Sequence, residues 1–232
     1  MVWLALSLTM VLIVLGEYAG GRVAKGLNLA MLRRRARGKL VLTYDDGPGT
    51  RLEDRLIALL KERNAKATFF LNAKRSLEYP QRRAVLKDAG HEVACHTFEH
   101  LDAWQTLPWR VIKDTNKAYQ VLEPWLTTRS TYRPPSGRFT TSVWLLLAAK
   151  GIRMALWTHD SGDTLPQLPD PSSVVADVSR AGGGVVLMHS FDRRGKDFEQ
   201  RERYIVELTD HLLDLARQKH LHVCSFSELL GR

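Results

Sequence analysis

Short continuous apolar runs, each closed by turn-forming residues, recur along most of the chain and are separated by longer stretches with helical spacing. Seven runs lie near residues 40–44, 67–71, 92–95, 130–132, 153–157, 185–188 and 222–225. Runs of this kind suit parallel strands buried on both faces, whose side chains need no polar alternation. Segments 52–63, 77–89, 109–125, 142–150, 172–181 and 198–219 read as helices between them. Their punctuation agrees: Gly90 and Gly151 follow two of them, and Pro171 with Ser172 and Ser173 opens a third. Alternating strands and helices imply a parallel sheet. Seven such units predict an α/β fold of the distorted, incomplete parallel (β/α)7-barrel type, in which functional residues collect on the loops that follow the strands.

The amino terminus breaks this rhythm. Residues 2–15 carry no charge and read as an apolar helix about 21 Å long, shorter than the roughly 30 Å of bilayer hydrocarbon. No Lys or Arg precedes the run, and Ala19-Gly20-Gly21 is a weak cleavage site, so an uncleaved membrane anchor is expected in preference to a signal peptide. Arg22, Lys25, Arg33, Arg34, Arg35, Arg37 and Lys39 follow. Without residues 1–39, 27 basic residues face 24 acidic ones, and the net charge of +9 falls to +3. The basicity is thus mostly juxtamembrane, which predicts contact with anionic membrane lipid and favours the cytoplasmic side over a periplasmic or extracellular one. Residues 1–39 are expected as anchor helix and polybasic flank, and residues 40–232 as one catalytic domain, a size within the single-domain range. No aromatic residue interleaves 33–39, so no nucleic acid is expected. Cys95 and Cys224, the two cysteines, sit in apolar runs where buried thiols are ordinary, and they indicate no disulfide framework. Nothing in the pattern sets an oligomeric state.

Four polar clusters sit where apolar runs end: residues 43–48 (Thr-Tyr-Asp-Asp-Gly-Pro), 96–100 (His-Thr-Phe-Glu-His), 133–137 (Arg-Pro-Pro-Ser-Gly) and 187–189 (Leu-Met-His). Singly each has an ordinary explanation: a turn, a surface histidine pair, a solvated arginine, a satisfied core histidine. Together they describe a metal hydrolase. Asp46, His96 and His100 offer one carboxylate and two imidazoles, a three-ligand set that leaves a divalent ion an open position for water. Zinc is the expected metal, with cobalt, nickel and manganese as alternatives. Asp45 and His189 remain as candidate base and acid. Two histidines four apart can share one face of a helical turn.

These clusters resemble the motifs of the polysaccharide deacetylase family, the NodB-homology carbohydrate esterases, over most of residues 40–226. The resemblance implies that Asp45 is the general base, that Asp46, His96 and His100 bind the metal, that Arg133 orients the base and that His189 is the general acid. It further implies that Leu187 lines the acetyl pocket and that a backbone amide near Ser136, where many relatives carry tyrosine, binds the oxyanion. Tyr44 stands where the family has phenylalanine. The fourth family motif corresponds to Trp157-Thr-His-Asp160-Ser-Gly-Asp163-Thr164, without its final tryptophan. Trp157 is expected at the substrate groove, and Asp163, with Asp160 as the alternative, is expected to orient His189. The implied substrate is an acetylated amino sugar or glycan, either lipid-linked or as chitin or peptidoglycan for an exported enzyme. A catalytically silent sugar-binding relative and a membrane-docked interaction protein are the alternatives, and retention of both the ligand set and the proton-transfer candidates favours the enzyme.

Overall fold

In the computed structural model, which describes residues 2–128, 131–192 and 197–231, a parallel sheet curls into a half-barrel with helices packed around it. The elements are helix α1 (Val2–Arg35), β1 (Lys39–Gly47), α2 (Arg51–Glu62), β2 (Thr68–Asn72), α3 (Ala73–Glu78), α4 (Arg82–Asp88), β3 (Glu92–Thr97), α5 (Pro108–Leu122) and β4 (Thr131–Tyr132). There follow a 3₁₀ turn (Pro135–Gly137), α6 (Thr141–Ala149), β5 (Arg153–Met154), β6 (His159–Asp160), α7 (Pro171–Ala181), β7 (Gly184–His189), α8 (Phe198–Gln218), β8 (His222–Val223) and α9 (Phe226–Leu229). The strand order is β5-β4-β3-β2-β1-β7-β6, with β8 pairing to the start of β1.

The strands follow the apolar runs because burial on both faces rewards continuous hydrophobicity. Leu40, Leu42, Phe69, Phe70, Val93, Val185 and Val186 are fully buried. Side chains alternate across β1: Tyr44 faces helix α8, where its hydroxyl lies 2.8 Å from Thr209 Oγ1, whereas Thr43 and Asp45 face the barrel interior and contact Arg133. The tyrosine in place of phenylalanine therefore gains a buried partner.

The architecture differs from expectation in three places. Among the described residues there are eight strands instead of seven, because the run 153–157 pairs only at Arg153–Met154 and the added strand β6 pairs His159 and Asp160 with Val186 and Leu187. A two-residue strand without an apolar run has no signature of its own. The predicted helix 77–89 is two helices, α3 and α4, broken at Tyr79 and Pro80, where proline disfavours helical backbone in the residue before it and lacks the N–H to continue the ladder. Ser225, predicted to end a strand, caps α9 in a reciprocal capping box with Glu228. Ser130 of the predicted fourth run lies outside the described residues.

Helix α1 is continuous through the basic segment. Ala24, Leu32 and Ala36 are buried along one stripe while Arg33, Arg34, Arg35 and Arg37 are exposed on the others. Asn28 donates to Met154 O of edge strand β5 at 3.0 Å, and the helix also touches β7, beside the opposite edge, so it lies over the seam left by the open barrel. Arg35 donates to Leu230 O at 2.7 Å, and Glu17 accepts from Ser142 N and Oγ at 3.1 and 2.8 Å. Gly21 permits the approach, since a methyl group there would stand 2.5 Å from Phe139 O. No helix among the described residues is long and apolar enough to cross a membrane.

Candidate functional site

At the end of β1 the pairing register with β2 shifts between Asp45 and Gly47, and Asp46 takes a left-handed backbone with φ 63°. In a regular strand neighbouring carboxylates would point to opposite faces. The irregularity lets both serve one site: Asp45 Oδ1 accepts from Arg133 Nη1 at 2.7 Å, while Asp46 Oδ1 lies 3.3 Å from His96 Nε2 and 3.6 Å from His100 Nε2. A left-handed non-glycine residue costs on the order of 1–3 kcal/mol, and such residues cluster at functional sites. His100, with φ 57°, and Ser136, with φ 53°, share this feature.

His96 is the penultimate residue of β3 and is buried; its Nδ1 sits 2.7 Å from Arg133 O, which leaves Nε2 directed toward Asp46. His100 is reached by a turn, not by a helix. Thr97 Oγ1 accepts from His100 N at 2.9 Å, and the Asp114 carboxylate accepts from Phe98 N and Glu99 N at 3.0 and 2.8 Å. The four-residue histidine spacing thus works by a strand end followed by a braced turn. One ligand atom from each of Asp46, His96 and His100 lies within 4.8 Å of the others, a convergence of a carboxylate and two imidazole nitrogens that fits a divalent ion. A cavity of about 260 Å³ lined by Asp46, Asn72, Lys74, Arg75, Glu78 and Phe191 opens beside it.

Arg133 is wholly buried. Its Nε donates to Ala155 O at 3.0 Å, its Nη1 also donates to Thr43 Oγ1 at 2.8 Å, and its guanidinium lies 4.0 Å from the Phe70 ring centroid and 5.6 Å from that of Trp157. Opposite Asp45 in the β1–β7 ladder stands His189. Its Nδ1 lies 2.8 Å from Asp163 Oδ1, and its backbone N–H donates to Asp163 Oδ2 at 3.0 Å. Asp160 instead accepts from Gly162 N at 2.9 Å, closing a local turn, and is exposed. Burial opposes the charged form of His189, but the Asp163 hydrogen bond and charge, joined by Asp45 and Asp46, outweigh it and carry its pKa to about 9. Leu187 lies two positions before His189 on the same face of β7 and is buried. In the turn after Arg133, Gly137 N and Arg138 N donate to Pro134 O and Pro135 O, while Ser136 N donates to no described residue.

The matching family model is that of polysaccharide deacetylase, over residues 33–155, more than half of the chain. The chain belongs to this family. It is a carbohydrate deacetylase by class. The chain is 29% identical over 194 residues to a peptidoglycan-N-acetylglucosamine deacetylase of Bacillus cereus, covering 82% of this chain and 87% of that one. It is 26% identical over 153 residues to a chitooligosaccharide deacetylase of Azorhizobium caulinodans, covering 65% of this chain and 72% of that one. A solved peptidoglycan N-acetylglucosamine deacetylase shares the fold, with TM-score 0.73 at 20% identity over 83% of this chain and 88% of its own.

Three residues of this deacetylase's site escaped sequence reasoning: Thr43, Thr97 and Asp114. Thr43 accepts from Arg133 and donates to Val186 O at 2.6 Å, holding the guanidinium that holds Asp45. Asp114 had a readable signal, since it interrupts the buried stripe of Val111, Thr115, Ala118 and Leu122 on α5 with a charge.

Proposed function

We propose that this deacetylase removes an N-acetyl group from an amino sugar of a glycan, using Asp46, His96 and His100 as ligands to a divalent metal, with zinc the best match to two imidazoles and a carboxylate. The observation that carries the reading is the pairing of two proton-transfer groups across the ligand set, Asp45 held by Arg133 and His189 held by Asp163. A silent sugar-binding relative has no use for both pairs. A bound divalent ion supplies Lewis acidity toward the amide carbonyl and lowers the pKa of water. Asp45 takes the proton of the attacking water as general base, and Arg133 fixes the carboxylate in place. The N–H of Ser136 donates to the oxyanion as it develops, with Leu187 and Trp157 enclosing the acetyl methyl. His189, its Nδ1 committed to Asp163, delivers a proton from Nε2 to the leaving nitrogen, which releases acetate and the free amine.

The exposed apolar side chains Met10, Leu12, Val14 and Leu15, followed by exposed arginines, support lipid contact by the amino half of α1. In this reading the exposed face of residues 1–39 rests on a membrane surface while its buried stripe stays on the barrel, and residues 40–232 carry the chemistry, on the cytoplasmic side by the positive-inside tendency. Elemental analysis tests the metal site: wild type should hold about one ion, and His96→Ala, His100→Ala and Asp46→Ala should each lose it. Unchanged metal in all three would overturn the ligand set. Acetate release from N-acetylated chitooligosaccharides by zinc-, cobalt-, nickel- and manganese-loaded protein tests the activity and ranks the metals.

A further inference from the structure

Helix α1 brings cations to the mouth of the site. Lys25 is half-buried beside the turn that carries Ser136: a methyl group added at Gly137 would stand 3.4 Å from Lys25 Nζ and 3.0 Å from the Trp157 ring. Gly137 has φ 60°, a backbone that favours glycine, and a side chain there would press on the indole. The next residue, Arg138, pairs with Asp102 at 2.6 Å and lies 5.0 Å from the Trp104 ring centroid. Arg22, one helical turn before Lys25, lies 5.3 Å from the same ring. Asp102 and Trp104 belong to the segment that follows His100. Arg22, Lys25 and Arg138 therefore meet the loops after β3 and β4, at the strand ends that build the site.

Among the described residues, Arg138 alone of these three cations pairs with a carboxylate, Asp102. Lys25 pairs with no carboxylate among the described residues, and its ammonium faces the charge of Arg138. Burial, then the Arg138 charge, hold its pKa below the usual lysine value. Across the site Lys74 pairs with Glu99 at 2.8 Å, and Arg75 donates to Pro48 O at 2.7 Å while its charge acts on Asp192. Holding like charges together without a counter-ion is unfavourable, and an anion with several acceptor oxygens would relieve it through charge-assisted hydrogen bonds.

We propose that Lys25, with Arg22 and Arg138, forms an anion subsite for a carboxylate or phosphate carried by the glycan next to the sugar being deacetylated. The inference rests on the deacetylase reading of the neighbouring site and makes α1 part of substrate selection. Steady-state rates on three N-acetylated oligosaccharides, one neutral, one bearing a carboxylate and one bearing a phosphate on the adjacent sugar, test it. Lys25→Met should raise KM for a charged glycan about tenfold, the worth of one charge-assisted hydrogen bond, leave kcat unchanged, and leave the neutral glycan within about twofold. Lys25→Arg should restore the preference, and Lys25→Glu should reverse it. Melting temperatures should show Lys25→Met at least as stable as wild type, because it removes repulsion without opening a void. The charged glycan that responds identifies the source, carboxylate or phosphate. Equal losses on all three, or none on either charged one, would overturn the subsite. Calorimetric binding of the same three glycans to the Asp45→Asn protein reads the subsite without turnover. Equal affinity for charged and neutral glycans would refute it even where the wild type is an active deacetylase, whereas charge-selective binding together with no acetate release from the metal-loaded wild type would sink the deacetylase reading alone.

Discussion

The wall of the site and the helix that covers the barrel seam are built on opposite logics. On the wall, the buried charged and imidazole groups are held by named partners: Arg133 by Asp45, Thr43 and Ala155 O, His96 by Arg133 O, and His189 by both carboxylate oxygens of Asp163. A buried charge of this kind is tolerable only when paired and hydrogen-bonded. On α1 the packed stripe is apolar, Gly21, Ala24 and Leu32, and its basic side chains are exposed or, like Lys25, half-buried without a carboxylate partner among the described residues. The wall fixes chemistry, whereas the helix contributes area and positive field. Substitutions on the wall should therefore cost rate, and substitutions on the helix should cost stability or selectivity.

The sharpest break should come at the two proton-transfer groups. Asp45→Asn and His189→Ala should lower kcat by about 10² to 10⁴ while elemental analysis still finds the metal; near-normal acetate release from either metal-loaded variant would remove the role assigned to it. On the helix, Leu32→Ala should cost about 2–5 kcal/mol of unfolding free energy in denaturant titration and leave turnover per folded molecule intact. Deletion of residues 1–15 should be far milder than deletion of residues 1–37, because the described contacts of α1 with the barrel begin near Gly16 and Glu17. Equal melting temperatures for the two truncations would show the helix to be dispensable.

A subtler test concerns pH. His189 is active as an acid when protonated, so the rate should fall as pH rises through its raised pKa. Asp163→Asn removes the interaction that opposes the burial penalty, so the alkaline limb of the kcat profile should move to lower pH; an unmoved limb would assign it to another group. The smallest effect is expected at Tyr44→Phe, which loses one buried hydrogen bond to Thr209, worth about 0.5–1.5 kcal/mol, with acetate release unchanged because Tyr44 faces α8 and not the site.

The strand-ending clusters were legible because they combine scarce residue types with apolar runs on which a parallel sheet depends. Asp46, His96 and His100 could be grouped before any coordinates, and so could Asp45, Arg133 and His189. Between Asp160 and Asp163, three positions apart, the motif resemblance favoured Asp163 without excluding Asp160, and the decision lies in which carboxylate the fold after β6 carries to His189. The split of 77–89 was also present in the sequence as Pro80, but the apolar spacing around it masked the break. Strand β6, two residues long, had nothing to read.

Local pattern determined the strand cores, most helix spans and the chemistry-bearing residues, because burial on two faces and helical periodicity act over a few neighbouring positions. Tertiary structure decided the rest. Only the bulge at Asp46 aims adjacent carboxylates at one site, and only the Asp114-braced turn carries His100 to His96. Only the path of α1 over the seam sets Lys25 beside Gly137, 112 positions away in the chain. Contacts at such separations depend on the register of the whole sheet, and no window of sequence contains them.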